Sequence, residues 1–185
     1  MKRLVLFGDS LFAHLSKSYL LELEGRLKEY DIYNCAVGGW DSGDCVKKGP
    51  YIASLEADTV VISVGTNDAS PWKQVDINAL KNNIISLIQI FNGSKLMFFL
   101  PPPINEDVLS KDSKRKSLTN DLMKQYHDSI KEICVSQNVT YVDSWSVFMP
   151  MIESGNDYHV EDGIHLNEEA YDVLFDELKK LTNSI

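Results

Sequence analysis

The chain has 185 residues, 44% of them hydrophobic and 24% charged, with a formal net charge of -9. That balance describes one soluble globular domain over residues 1–185, long enough to bury a sizeable core. It argues against nucleic acid as a partner, since phosphates call for clustered Lys and Arg, and the densest basic run, Lys114-Arg115-Lys116, is short and sits in polar sequence.

In chain order, apolar strand-like runs alternate with amphipathic helical ones. Met1-Lys2-Arg3 leads straight into a strand at 3–7 and a Gly-Asp-Ser turn, which leaves no room for a signal peptide. A stripe of Phe12, Leu15, Tyr19, Leu23 and Leu27 predicts a helix, followed by strands at 31–35 and 59–64. The next stripe is Ile77, Leu80, Ile84, Leu87, Ile88 and Phe91, then a strand at 95–100. Pro101-Pro102-Pro103 forces an extended exit from that strand and opens an irregular stretch to Ser113. Leu118, Leu122, Tyr126, Ile130 and Ile133 mark a further helix, 140–142 a short strand, and Ala170, Val173, Leu174 and Leu178 the last helix. Spacings of three and four put each set on one helix face, while strands apolar without alternation suit a parallel sheet covered on both faces. The alternation therefore implies a parallel α/β sheet, with ligands binding outside the carboxyl ends of its strands. No apolar run approaches the roughly 20 residues that cross a bilayer. Three cysteines, Cys35, Cys45 and Cys134, without Cys-x-x-Cys spacing, read as free thiols in a cytoplasmic protein with no metal and no cofactor.

Four short blocks carry the chemistry: Gly8-Asp9-Ser10-Leu11, Asn34 through Gly39, Gly65-Thr66-Asn67-Asp68, and Asp162-Gly163-Ile164-His165. The first three fall at predicted strand ends. Ser10, at a strand-to-helix turn, is either a helix cap or a nucleophile awaiting a base. His165 is the candidate base, with Asp162 three residues earlier to hold its tautomer and to stabilise the imidazolium. The Ser10 amide, a glycine amide at Gly38 or Gly39, and the Asn67 side-chain NH2 are candidate donors to an oxyanion; singly, the glycines read as a flexible turn and Asn67 as an Asx-turn residue. Trp40 and Trp72, near two of the blocks, are candidate walls for an acyl or alcohol group. Asp9 and Asp68 read as loop-holding hydrogen-bond acceptors, and Cys45 as a small buried hydrophobe. His159 is a rival base, better read as a loop or rim residue; His14 reads as facing solvent or a helix flank, and His127 as a surface residue.

With these residues the chain resembles the SGNH hydrolase superfamily, the GDSL esterases and lipases, from Gly8 to Asn167. Gly-Asp-Ser-Leu and Gly-Thr-Asn-Asp stand as the family writes them, and Asn34 followed five positions later by glycine picks Gly39 over Gly38. The departures are peripheral: Phe12 stands where a small polar residue is common, and Trp40 follows the glycine. The resemblance implies a flavodoxin-like three-layer α/β/α fold with a five-stranded parallel sheet. It implies metal-independent ester hydrolysis through an acyl-enzyme, with Ser10 as nucleophile, His165 as base, Asp162 as its partner, and Ser10, Gly39 and Asn67 as the oxyanion hole. The expected substrate is a small short-acyl ester, acetyl above all. Alternatives on the same site are a carbohydrate O-acetylesterase and a thioesterase or acyltransferase. A non-catalytic binding module predicts a replaced catalytic position, and none is replaced.

Overall fold

The computed structural model describes residues 1–183 and contains five strands: β1 (Lys2–Gly8), β2 (Tyr30–Asn34), β3 (Thr59–Ser63), β4 (Lys95–Phe99) and β5 (Thr140–Val142). All neighbouring pairs are parallel, in the order β2-β1-β3-β4-β5. Side chains alternate across each strand, so Leu4 and Leu6 of β1 enter one core with Val61, Met97 and Phe99. Val5 and Phe7 enter the other with Val60, Ile62 and Phe98. Both cores are built from branched and aromatic residues that are fully or almost fully buried, which is why the strands read as apolar runs rather than as an alternation.

Helices cover both faces. On the Leu4 and Leu6 side lie α1 (Ser10–Ala13), α2 (Lys17–Arg26), α8 (Ser144–Glu153) and α9 (Glu168–Asn183). On the Val5 and Phe7 side lie α3 (Ser42–Ala53), α5 (Ile77–Ile90) and α7 (Asn120–Ser136). Two short helices, α4 (Thr66–Ala69) and α6 (Glu106–Leu109), follow β3 and β4. The result is the three-layer α/β/α fold expected from the sequence. Among the described residues no helix is long and apolar enough to cross a membrane.

Several details differ from the sequence reading. The first apolar stripe is broken: α1 ends after one turn, and α2 starts afresh where the Ser16 hydroxyl accepts from the Tyr19 N–H. Leu118 lies outside α7, whose cap is Thr119. Helices α3 and α8 have no counterpart in the apolar stripes; each contains a proline, Pro50 or Pro150, and each is fixed instead by an aspartate cap, Asp41 or Asp143. His127 is buried rather than at the surface. Its ring contacts Asp128 at 3.0 Å and Asp143 at 3.2 Å, and burial holds its pKa below the ordinary range although both carboxylates pull it upward. Asp143 also takes Lys131 at 2.6 Å. Burial pushes the Asp143 carboxyl up, but the Lys131 ammonium, the Ser146 N–H and the His127 charge outweigh it and bring it down to about 2.

Among the glycines, the one with least room for a side chain lies between the first and third strands. Gly8 has φ +120°, pairs in register with Ser63, and leaves no room for a Cβ, which would overlap the Ser63 carbonyl. Only glycine fits such a site without strain. Gly8→Ala is expected to lower unfolding free energy by at least about 3 kcal/mol, from the forced φ and the backbone clash together. Urea denaturation would show it as a lower midpoint at unchanged slope.

Candidate active site

In an open α/β sheet the crevice forms where successive crossovers leave in opposite directions. Here the chain passes from β1 to β2 on one side and returns to β3 on the other, so the switch point lies at the carboxyl ends of β1 and β3. Those ends carry the first and third blocks, and the second follows β2 alongside. The structure therefore gathers three of the blocks through sheet order alone.

The β1 turn presents Ser10 as the first residue of α1. Asp9 caps this helix: one carboxylate oxygen accepts from the Leu11 N–H at 3.1 Å and from the Ser63 hydroxyl at 2.7 Å. Asp9 is wholly buried, and burial raises its pKa against the pull of these donors and of the His165 charge. The loop after β2 is tied to the same turn. Val37 N–H donates to the Gly8 carbonyl at 2.9 Å, and Asn34 donates to the Phe12 carbonyl at 2.7 Å while accepting from Ala36 N–H. Gly38 lies against Ser10, with its Cβ position 3.8 Å from the Ser10 Cβ, and Gly39 has φ +82°.

After β3, Asn67 sits in α4 and its side-chain NH2 donates to the Trp40 carbonyl at 2.9 Å. One of its two hydrogens thus braces the Gly39 loop and the other remains to donate elsewhere. Beside it, the buried Asp68 carboxylate takes the Ser42 N–H at 3.0–3.1 Å on both oxygens and also the Ser42 hydroxyl. Asn83 of α5 in turn donates to that hydroxyl. Ser42 and Asn83 carry no sequence signal of their own; only the Asp41 to Asp44 capping box marks the start of α3. Trp40 is half-buried, packed edge-on against Phe7, whereas Trp72 is 54% exposed.

The fourth block arrives from 155 residues away. His165 Nε2 lies 2.8 Å from Ser10 Oγ, and Nδ1 lies 2.5 Å from Asp162 Oδ2. The other Asp162 oxygen accepts the N–H groups of Ile164 and His165 at 2.9 and 3.0 Å. Burial raises the Asp162 carboxyl, but these two N–H groups and the His165 ring outweigh it, so its pKa falls below the ordinary range. An ionised Asp162 accepting from Nδ1–H leaves Nε2 with its lone pair toward the serine hydroxyl. The loop is held from both sides: Asn105 N–H donates to the Gly163 carbonyl at 2.9 Å, and Asn167 N–H to the Tyr158 carbonyl at 2.9 Å.

His159 is engaged elsewhere, with Nδ1 2.7 Å from Asp157 and Nε2 donating to the Pro103 carbonyl at 3.0 Å. His14, read from sequence as facing solvent or a helix flank, is exposed, and its ring also lies against that of His165, centroids 4.2 Å apart. Cys45 is fully buried. Among the described residues no group of three or more His, Cys, Asp or Glu side chains is arranged to hold a metal ion.

A model of the GDSL-like lipase/acylhydrolase family matches residues 6–173. A GDSL esterase/lipase of Arabidopsis thaliana is 23% identical over 201 residues; the match takes in 97% of this chain but 63% of that protein, so the chain spans less than two thirds of this relative. The solved structure of a lipase/acylhydrolase from Enterococcus faecalis superposes with a TM-score of 0.83 at 20% identity, covering 98% of this chain and 97% of the other. An acetylxylan esterase from Geobacillus stearothermophilus superposes with a TM-score of 0.78 at 17% identity, covering 100% and 95%. At such identities these superpositions establish a shared fold.

The Asp68 network has a pH signature. Burial raises the carboxyl from 3.8 to about 6, against the donors of Ser42. A folded value above the unfolded one means that the group's contribution to stability is complete below about pH 4 and is lost as the pH rises through about 6. The stability of the wild type relative to Asp68→Asn should therefore fall across that window by roughly 2–3 kcal/mol, read from urea midpoints at closely spaced pH values.

Proposed function

The chain belongs to the GDSL-like lipase/acylhydrolase family, and on that premise we propose that it is a serine esterase that cleaves short-chain acyl esters, acetyl esters above all, through an acyl-enzyme. The observation that carries this reading is the relay from Ser10 Oγ through both nitrogens of His165 to Asp162, at 2.8 and 2.5 Å. A serine hydroxyl is a weak nucleophile until a positioned base takes its proton. In this reading Ser10 Oγ attacks the ester carbonyl while His165 Nε2 accepts the hydroxyl proton, and Asp162 stabilises the imidazolium. The carbonyl oxygen becomes an oxyanion held by the Ser10 and Gly39 amides and the free hydrogen of the Asn67 NH2. Collapse breaks the C–O bond to the alcohol, which leaves with the proton from His165. Water then attacks the acyl-serine by the same route, releasing the acid and restoring Ser10.

A second reading of the substrate has a specific observation in its favour. Among the proteins that share the fold are acetylxylan esterases, and Trp72 exposes 54% of its surface, available to stack on a sugar ring. In that reading the alcohol is a carbohydrate hydroxyl. We place the single 1–185 domain in the cytoplasm, a location supported by the three separate thiols of Cys35, Cys45 and Cys134.

Acetate release from p-nitrophenyl acetate and from acetylated xylose tests both. Ser10→Ala and His165→Ala are expected to lower kcat by on the order of 10⁴–10⁶-fold, and Asn67→Ala by about 10²–10³-fold. A fluorophosphonate should label the wild type and not Ser10→Ala; hydrolysis that survives Ser10→Ala refutes the mechanism. If the alcohol is a sugar, Trp72→Ala raises KM for acetylated xylose more than for the aryl acetate.

A further inference from the structure

The two ring nitrogens of His165 are occupied in the plane of the ring by Ser10 and Asp162. One face of the same ring is covered by a second histidine. His14 closes α1 four residues after the nucleophile, and its backbone N–H donates to the Ser10 carbonyl at 3.0 Å. Its ring lies 4.2 Å from that of His165, centroid to centroid, with 37° between the planes. The same short helix thus carries the serine at its first position and, after one turn, a ring laid on the base that serves it.

This contact changes character with protonation. A neutral aromatic ring presents an electron-rich face to a cation and attracts it, so neutral His14 favours the imidazolium that His165 becomes when it takes the Ser10 proton. A second imidazolium in the same place repels it. The charged groups that face His14 come from the 159–167 loop: the His165 ring and the Asp162 carboxylate. Asp9, beneath the turn, faces the His165 ring in its turn. Partial burial and the positive charge of His165 hold His14 below the ordinary histidine range, with Asp162 pulling the other way. The facing charge therefore favours a neutral His14 whenever His165 carries the proton.

We propose that His14 is a positioning residue for His165: neutral, its ring holds the base in the plane joining Asp162 to Ser10 and steadies the developing imidazolium; protonated, it opposes that charge. The proposal rests on the esterase reading above. It implies that acidification stops hydrolysis through two protons, one on each ring, where an isolated base would use one.

The test is kcat/KM for p-nitrophenyl acetate against pH in wild type, His14→Phe and His14→Ala. In the wild type the acid limb of the logarithmic plot should begin with a slope of 1 and steepen toward 2 at lower pH, because the two charges repel and the second proton binds later; in His14→Phe, which keeps a ring but cannot titrate, it should stay at 1. His14→Ala should lower kcat at pH 8 by about tenfold with KM unchanged, the cost of a loosened base, and His14→Phe should recover most of that loss. A wild-type limb that never steepens beyond 1, or steepening retained in His14→Phe, overturns the proposal. A second readout does not depend on turnover. In Ser10→Ala protein, the NMR signal of the His14 ring should titrate at higher pH once His165→Gln removes the facing charge; an unmoved midpoint also overturns it. Hydrolysis that persists in Ser10→Ala or His165→Ala would sink the esterase reading instead, leaving the ring coupling to be judged by NMR alone.

Discussion

The rest of the structure hangs on the contact between β1 and β3 at Gly8 and Ser63. These are the two strands on either side of the switch point, and their ends must nearly touch for the first and third blocks to share one crevice. A residue with no side chain and φ +120° lets them do so. The approach is then sealed by hydrogen bonds in both directions: Asp9 N–H to the Ser63 carbonyl at 3.0 Å, and the Ser63 hydroxyl to Asp9 at 2.7 Å. Each bond is buried, and a buried polar group left without its partner costs more than the bond contributes when made. The turn that presents Ser10 therefore has little freedom to move, which is what the proposed nucleophile needs if its proposed base is to come from a distant part of the chain.

That base is held by an arrangement of a different kind. Proline has no N–H to give, but its carbonyl is a full acceptor, and the segment after β4 uses it so. Pro101 accepts from the Ser144 hydroxyl and the Trp145 ring N–H, and Pro103 from the Tyr158 hydroxyl and His159. All three prolines are buried. The segment is a strap: stiff by its own covalent structure, fastened to α8 at one end and to the approach of the Asp162–His165 loop at the other. Asn105 continues it by donating to Gly163, between Asp162 and His165. The histidine that sequence offered as a rival base, His159, is thus one of the fastenings.

What the sequence disclosed follows a physical line. The five strands were legible because parallel strands buried on both faces write an unbroken apolar run. The Asp162 and His165 pair was legible because three residues of a single turn hold both. Helices α3 and α8 were not, because Pro50, Gly43, Gly49 and Pro150 dilute the stripe and the signal lies in the caps. His127 looked solvated between Tyr126 and Asp128, since its other partner, Asp143, lies sixteen residues on and nothing local announces it. His14 is exposed as read, but its contact with His165 went unread for the same reason: the ring it meets belongs to a loop at the far end of the chain. Local chemistry could be read, and the family motifs joined Ser10 to His165 across the chain; pairings that no motif marks could not.

The separation of 155 residues between Ser10 and His165 bears on how the protein comes into being. A ribosome releases the serine turn first and the histidine loop only after β5 and α8, so a nascent chain carries its proposed nucleophile through nearly all of synthesis with no proposed base beside it. On the proposed mechanism the hydroxyl stays chemically quiet until the last helix docks, and competence arrives together with closure of the sheet's second face. On that mechanism, turnover is then a measure of completed folding.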